Sequence, residues 1–281
     1  MKIDAHQHFW RFDAARDRWI TDDLRAIRRD FLPADLEGIL AANGIDGCVA
    51  VQADQSEQET RFLLDLARQH AFIRGVVGWV DLASPRVEDS LRAFVTDPRL
   101  RGVRHVAQAE ADDFLKREDV IRGVGQLGRF GLTYDILVFA RQLPAALTLV
   151  KRLPNQTFVI DHLGKPCIRD GTLEPWATHL RALGRLPNVS CKLSGLVTEA
   201  DWAGWRPPHL RPYLDVALEA FGPERVMFGS DWPVCLVAAP YERVLEVIVE
   251  YAATLSATEQ KALFGGNAAR VYGLSDQWTS S

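Results

Sequence analysis

Short apolar runs recur along the whole chain, and between them lie stretches whose apolar residues fall three and four apart. The runs span residues 2–9, 44–53, 73–82, 100–108, 133–139, 157–164, 188–196 and 225–231. Rich in Val, Ile and Leu, they read as strands buried on both faces. The intervening stretches, residues 34–43, 57–70, 85–96, 119–130, 143–153, 175–186, 208–221 and 241–255, carry the helical period. In the second of these, Ser56 stands three positions before Glu59, a capping-box pattern that marks a helix start. Strand followed by helix, repeated eight times, is the pattern of a parallel sheet closed on itself. The expected fold is therefore α/β, a single (β/α)8 TIM barrel. An open doubly wound sheet is the alternative, but no glycine-rich phosphate loop follows the first run. No linker rich in Gly, Ser or Pro interrupts the pattern, so residues 1–281 are expected to form one domain.

Barrels of this kind place their chemistry at the carboxyl ends of their strands, so the polar residues there carry the functional expectation. The eighth run stops at Phe228-Gly229-Ser230-Asp231-Trp232-Pro233. A carboxylate at the mouth of a buried strand is costly unless it has something to hold. The first run ends in His6-Gln7-His8, and because strand side chains alternate, both imidazoles face the same way. If the first and last strands are neighbours, two imidazoles and a carboxylate share one pocket. The His-x-His spacing alone is a weak metal signal; its place at a strand end gives it weight.

His162 ends the sixth run, and Asp161 beside it is expected to face away and cap the following segment. Lys192 lies within the seventh run, where a lysine needs a partner: a site carboxylate or a substrate oxygen is expected ahead of a purely structural salt bridge. Arg104 and His105 end the fourth, and alternation lets only one of them point inward. Asp135, in the fifth, reads equally as an inward functional group or as a hydrogen-bonded structural carboxylate. His70, His179 and His209 fall on helices or loops and are expected at the surface.

Composition narrows the function classes. The chain is 47% hydrophobic and 25% charged, as ordinary globular proteins are, with a net charge of -4. Its basic residues are scattered, which argues against a nucleic-acid partner. The N-terminus has no apolar signal core and no segment is apolar for long enough to cross a bilayer, so no membrane partner is expected either. Four widely spaced cysteines (Cys48, Cys167, Cys191, Cys235) show no metal spacing and are expected as reduced thiols in a cytoplasmic protein. The eight tryptophans suit a flat or ring-shaped ligand.

Several blocks together resemble the amidohydrolase superfamily, and within it the branch that holds sugar-lactone hydrolases. They are Asp4-Ala5-His6-Gln7-His8-Phe9-Trp10, Val51-Gln52-Ala53, Glu59-Thr60-Arg61-Phe62-Leu63-Leu64 and Gly102-Val103-Arg104-His105. Further along come Asp161-His162-Leu163-Gly164-Lys165-Pro166, Lys192-Leu193-Ser194-Gly195, the stretch around Asp231, and Gly266-Asn267-Ala268-Ala269-Arg270-Val271-Tyr272. The resemblance implies water attack on the carbonyl of a small-molecule sugar lactone. Asp231 would be the general base and later the acid, with His162 and Lys192 or Arg104 polarising the carbonyl. Arg104, His105, Lys192, Trp232 and Gln52 are the expected substrate contacts, with Trp79 and Trp10 as further stacking surfaces. His6, His8 and Asp231 would hold a divalent ion such as zinc, or else His6 and His8 would donate hydrogen bonds directly to the lactone. Metal-dependent members add a histidine on strand five, where this chain has Asp135, so the resemblance leaves open whether activity needs the metal. Two other readings stand beside it: a metal-dependent decarboxylase of aromatic carboxylates, and a non-catalytic carbohydrate-binding barrel.

Overall fold

The structure, a computed structural model, describes residues 1–274. Its centre is one sheet of eight strands in chain order: β1 (Ile3–Gln7), β2 (Gly47–Val51), β3 (Ile73–Gly78), β4 (Leu100–His105), β5 (Thr133–Ile136), β6 (Phe158–Ile160), β7 (Val189–Leu193) and β8 (Val226–Phe228). Each pairs in parallel with the next. The ring closes just past the end of β8, where the Asp231 amide donates to the His6 carbonyl at 2.8 Å and the His8 amide to the Trp232 carbonyl at 2.7 Å. Helices Pro33–Ala42, Glu57–Gln69, Val87–Phe94, Glu118–Leu127, Leu143–Arg152, Trp176–Gly184, Pro207–Phe221 and Tyr241–Ala252 alternate with the strands. This is the (β/α)8 barrel that the repeating pattern predicts.

Two apolar cores hold it together. The larger lies between sheet and helices and includes Phe9, Leu63, Leu91, Leu149 and Phe228. The smaller fills the barrel interior with Ile3, Ala5, Val49, Val51, Val77, Val159 and Met227. A C-terminal segment closes the amino end of the barrel, adding Ala268, Tyr272 and Leu274 to that inner core. Gly265 lies so close to the start of β1 that a Cβ there would meet the Met1 carbonyl oxygen at 2.2 Å. Asn267 ties the segment down by donating to the carbonyls of Pro223 and Val226, both at 2.7 Å.

One irregularity decides where the chemistry points. Ile3 and Ala5 pack inside the barrel, so strict alternation would turn His6 outward. The pairing of β1 with β2 shifts by one residue between Asp4 and Gln7. That bulge lets Ala5 and His6 both face inward, a re-aiming of side chains for which bulges are commonly used.

Candidate active site

The carboxyl half of the barrel interior is charged where the amino half is apolar. Beneath the mouth, Lys192 on β7 places its Nζ 2.6 Å from Asp135 Oδ2, 2.9 Å from Asp161 Oδ1 and 3.2 Å from His6 Nδ1. Arg104 on β4 donates to Asp161 Oδ2 at 3.1 Å, and its Nη2 donates to the Gln52 carbonyl. Tyr272 O–H donates to Asp135 at 2.6 Å, and Thr133 O–H donates to its other oxygen at 3.0 Å. Two cations thus contact two carboxylates directly, the arrangement in which buried charge is tolerable. Burial pushes Asp135 up against the pull of Lys192. For Asp161 burial acts in the same direction, but Lys192, His6 and Arg104 outweigh it and hold that carboxyl well below its ordinary range.

Above this network sit three imidazoles and one carboxylate. His6 Nε2 and His8 Nε2 are 3.2 Å apart. Asp231 Oδ1 lies 3.4 Å from His8 Nε2 and 3.8 Å from both His6 Nε2 and His162 Nε2. Each ring is held from behind. His8 Nδ1 is 2.8 Å from the Val51 carbonyl, which can only accept, so Nδ1 carries the proton and Nε2 presents its lone pair to the site. His162 Nδ1 is 2.9 Å from Ser194 Oγ. Asp4 Oδ1 accepts from the His6 amide at 3.1 Å and the Ser230 amide at 2.9 Å, clamping β1 to the segment that carries Asp231. Burial holds all three imidazoles below their ordinary pKa, most strongly His6 and His162. Burial would raise Asp231, but the neighbouring His162 and His8 outweigh it and hold the carboxyl below its ordinary range.

His6 Nε2, His8 Nε2 and Asp231 Oδ1 also have the spacing of a metal site. Ligand atoms about 2.0–2.2 Å from a tetrahedral zinc are separated from one another by roughly 3.4 Å, close to the 3.2, 3.4 and 3.8 Å found here. The second set, His6, Asp161 and His162, also groups closely enough. Its carboxylate is already taken up by Lys192 and Arg104. The residues present therefore fit one divalent ion at the first set. Arg104 Nη1 stands 3.3 Å from His6 Nε2 and competes with such an ion for that lone pair.

A cavity of about 510 Å³ opens over these groups, lined by His8, His162, Asp231 and Arg104 at its floor and by Trp10, Trp19, Trp202, Asp54, Gln55, Lys165 and Glu199 among its walls. Several expected contacts lie elsewhere. Lys192 is fully buried below His6, because both of its carboxylate partners sit within the barrel. Gln52 donates to the Arg104 carbonyl at 3.1 Å and so cross-links β2 to β4. His105 stacks on Phe114 and pairs with Glu110, leaving Arg104 as the inward residue of the two. Trp232 is packed edge-on between Phe9 and Phe31, and Trp79 packs against His105. Of the three tryptophans expected at the site, Trp10 lines the cavity.

Asp161 also departs from expectation. It points into the barrel, because β6 ends at Ile160 and the chain then turns left-handed at His162, where φ is 52°. Alternation does not extend past the end of a strand. Ser194, which contacts His162, and Lys165 and Glu199, which line the cavity, also belong to the site; Ser194 and Lys165 lie within blocks that carry the family resemblance, whereas no pattern marks Glu199.

Known proteins bear on the site directly. The sequence matches the amidohydrolase family over residues 3–274. It is 46% identical to an L-fucono-1,5-lactonase of Burkholderia multivorans, covering 98% of this chain and 96% of that protein. An L-fucono-1,5-lactonase of Burkholderia ambifaria is 39% identical, with 96% and 95% covered. A crystal structure of a B. multivorans amidohydrolase with zinc bound superposes with a TM-score of 0.95 at 46% identity, covering 98% of this chain and 100% of that one. With a match that spans both the His-x-His strand and the aspartate after β8, the chain belongs to the amidohydrolase family.

Proposed function

We propose that this protein hydrolyses neutral sugar lactones, L-fucono-1,5-lactone first among them, to the corresponding aldonic acids. The observation that carries the reading is the ionised Asp231 carboxylate, held between His8 and His162 on the floor of the cavity, in a chain 46% identical to an L-fucono-1,5-lactonase. Asp231 takes a proton from the attacking water as its oxygen bonds to the lactone carbonyl carbon. The same carboxyl returns the proton to the ring oxygen as the carbon–oxygen ring bond breaks. Arg104 and His162 face the carbonyl oxygen and stabilise the charge that develops there. A lactone carbonyl is already electrophilic, so these groups suffice. A divalent ion held by His6, His8 and Asp231 would add Lewis-acid polarisation of the carbonyl.

The cavity charges favour a neutral substrate. Asp54, Glu199 and Asp231 line it, and its cations Arg104 and Lys165 are already engaged by Asp161 and Glu199. Among the described residues that line the cavity, each cation already faces a carboxylate, so a dicarboxylate would have to compete with Asp161 and Glu199 for a bidentate clamp. We place the reaction in the cytoplasm, since all four cysteines are free thiols; recovery of the protein from an extracytoplasmic fraction would contradict that. The test of function is kcat/KM, read by acid release, across neutral sugar lactones, a pyrone dicarboxylate and aryl amides. The sugar lactones should lead, and a dicarboxylate or amide ahead of all of them would overturn the assignment.

A further inference from the structure

Two loops at the mouth carry an ion pair that the hydrolytic steps do not use. Lys165 Nζ lies 3.1 Å from Glu199 Oε1, and both side chains line the same cavity as His162 and Asp231. The pair is mostly shielded, at 17% and 20% side-chain exposure. The lysine charge acts on both Asp231 and His162.

The backbone beneath it is unusual. His162, Leu163 and Lys165 have φ of 52°, 54° and 49°, and Gly164 between them has 68°. Four consecutive residues in the left-handed region form a turn that side chains other than glycine disfavour. Such strain persists only where the surroundings enforce it, and it gathers at functional sites. Here one turn delivers both His162 and Lys165 to the cavity. The loop after β7 meets it closely: a Cβ at Gly195 would stand 2.6 Å from His162 Nδ1. From Gly195 the chain runs into the short helix Leu196–Glu199, which ends on the lysine's partner. The same contact that fixes the catalytic imidazole therefore fixes the Lys165–Glu199 pair.

We propose that Lys165 and Glu199 are specificity-determining residues, a paired donor and acceptor that together hold ring hydroxyls of the lactone. This rests on the lactonase reading and deepens it. A self-neutralised pair offers a hydrogen-bond donor and an acceptor side by side without net charge, which suits neighbouring hydroxyls on a neutral ring. An anionic group would have to displace the glutamate first. The bland alternative is a bridge between two loops, since partly exposed ion pairs contribute little by themselves.

The test compares the wild type with K165M and E199Q on two lactones of the same ring size: a hydroxylated sugar lactone and unsubstituted δ-valerolactone. Each variant should lose about 10- to 100-fold more kcat/KM on the sugar lactone than on δ-valerolactone, the scale of a hydrogen bond to a charged group. Calorimetric affinity for an anhydrohexitol, a ring of hydroxyls with no carbonyl, should fall alongside. Equal losses on both lactones, with unchanged anhydrohexitol affinity, would reduce the pair to a loop bridge and overturn the proposal. If the wild type opens neither lactone, the hydrolase reading falls by itself. The anhydrohexitol titration of the wild type and both variants then decides the pair alone.

Discussion

Asp231→Asn keeps a group of nearly the same shape between His8 and His162 but cannot accept the proton of water. Turnover should fall at least about 10²-fold, the lower end of what a general base supplies, with the melting temperature little changed. A folded variant with parental activity would remove Asp231 from that role. Lys192→Met is the contrasting case, since the lysine lies outside the cavity and is fully buried. Its loss leaves Asp135 and Asp161 without their shared cation, a change that typically costs about 3–5 kcal/mol. Denaturant unfolding should show that loss, and a midpoint unmoved by the substitution would contradict the network. Residues were legible in the sequence where a general cost applied to them. A lysine in a parallel strand and a carboxylate at a strand mouth both announce that partners exist. They do not say which partners, because Asp161 lies past the end of β6, where the left-handed turn at His162 breaks the alternation.

At the scale of the element, the apolar runs located every strand of the barrel but overran the carboxyl end of each. The sixth is the clearest case: residues 157–164 carry the pattern, and only Phe158–Ile160 pair as strand. The excess residues are those that leave the ladder to build the mouth. The bulge in β1 could not be read, since one extra residue in a pairing leaves no trace in hydrophobic periodicity. The capping box at Ser56, by contrast, half holds: its hydroxyl accepts from the Glu59 amide at 3.1 Å, but the Glu59 carboxylate turns to the Ala53 amide at 3.2 Å. Buried there, Glu59 is pushed up from 4.5 to about 7, mainly by desolvation. A carboxyl raised in the folded state binds its proton more tightly than in the unfolded chain. Its contribution is complete below about pH 4.5 and is lost as pH rises through about 7. The full difference is about 3 kcal/mol for a shift of that size. Melting curves of the wild type and Glu59→Gln between these limits should diverge, the wild type losing stability toward pH 8 relative to the variant. A pH-independent difference between the two would show that Glu59 titrates normally.

Taken as a whole molecule, the barrel sets zinc and arginine against each other at one nitrogen. β1 and the segment after β8 bring His6, His8 and Asp231 to metal-ligand spacing, while β4 sends Arg104 to within 3.3 Å of His6 Nε2. The guanidinium is itself anchored by Asp161, which Lys192 also holds. Binding an ion therefore means placing two more positive charges beside an arginine that the interior network keeps in place, so zinc should bind weakly. On the proposed mechanism catalysis has less need of it than the binding geometry suggests, because the base and the charge stabilisation are assigned to Asp231, His162 and Arg104, which line the cavity floor. The expected outcome has two parts. A chelator should leave most of kcat/KM on a sugar lactone intact. Excess zinc should still raise the melting temperature of the wild type, by the logarithmic dependence on free ligand that specific binding to the folded state gives. His8→Ala, which removes one of the three ligands, should abolish that rise. Total loss of activity on chelation, restored by zinc, would show that the ion outcompetes Arg104 and that hydrolysis depends on it.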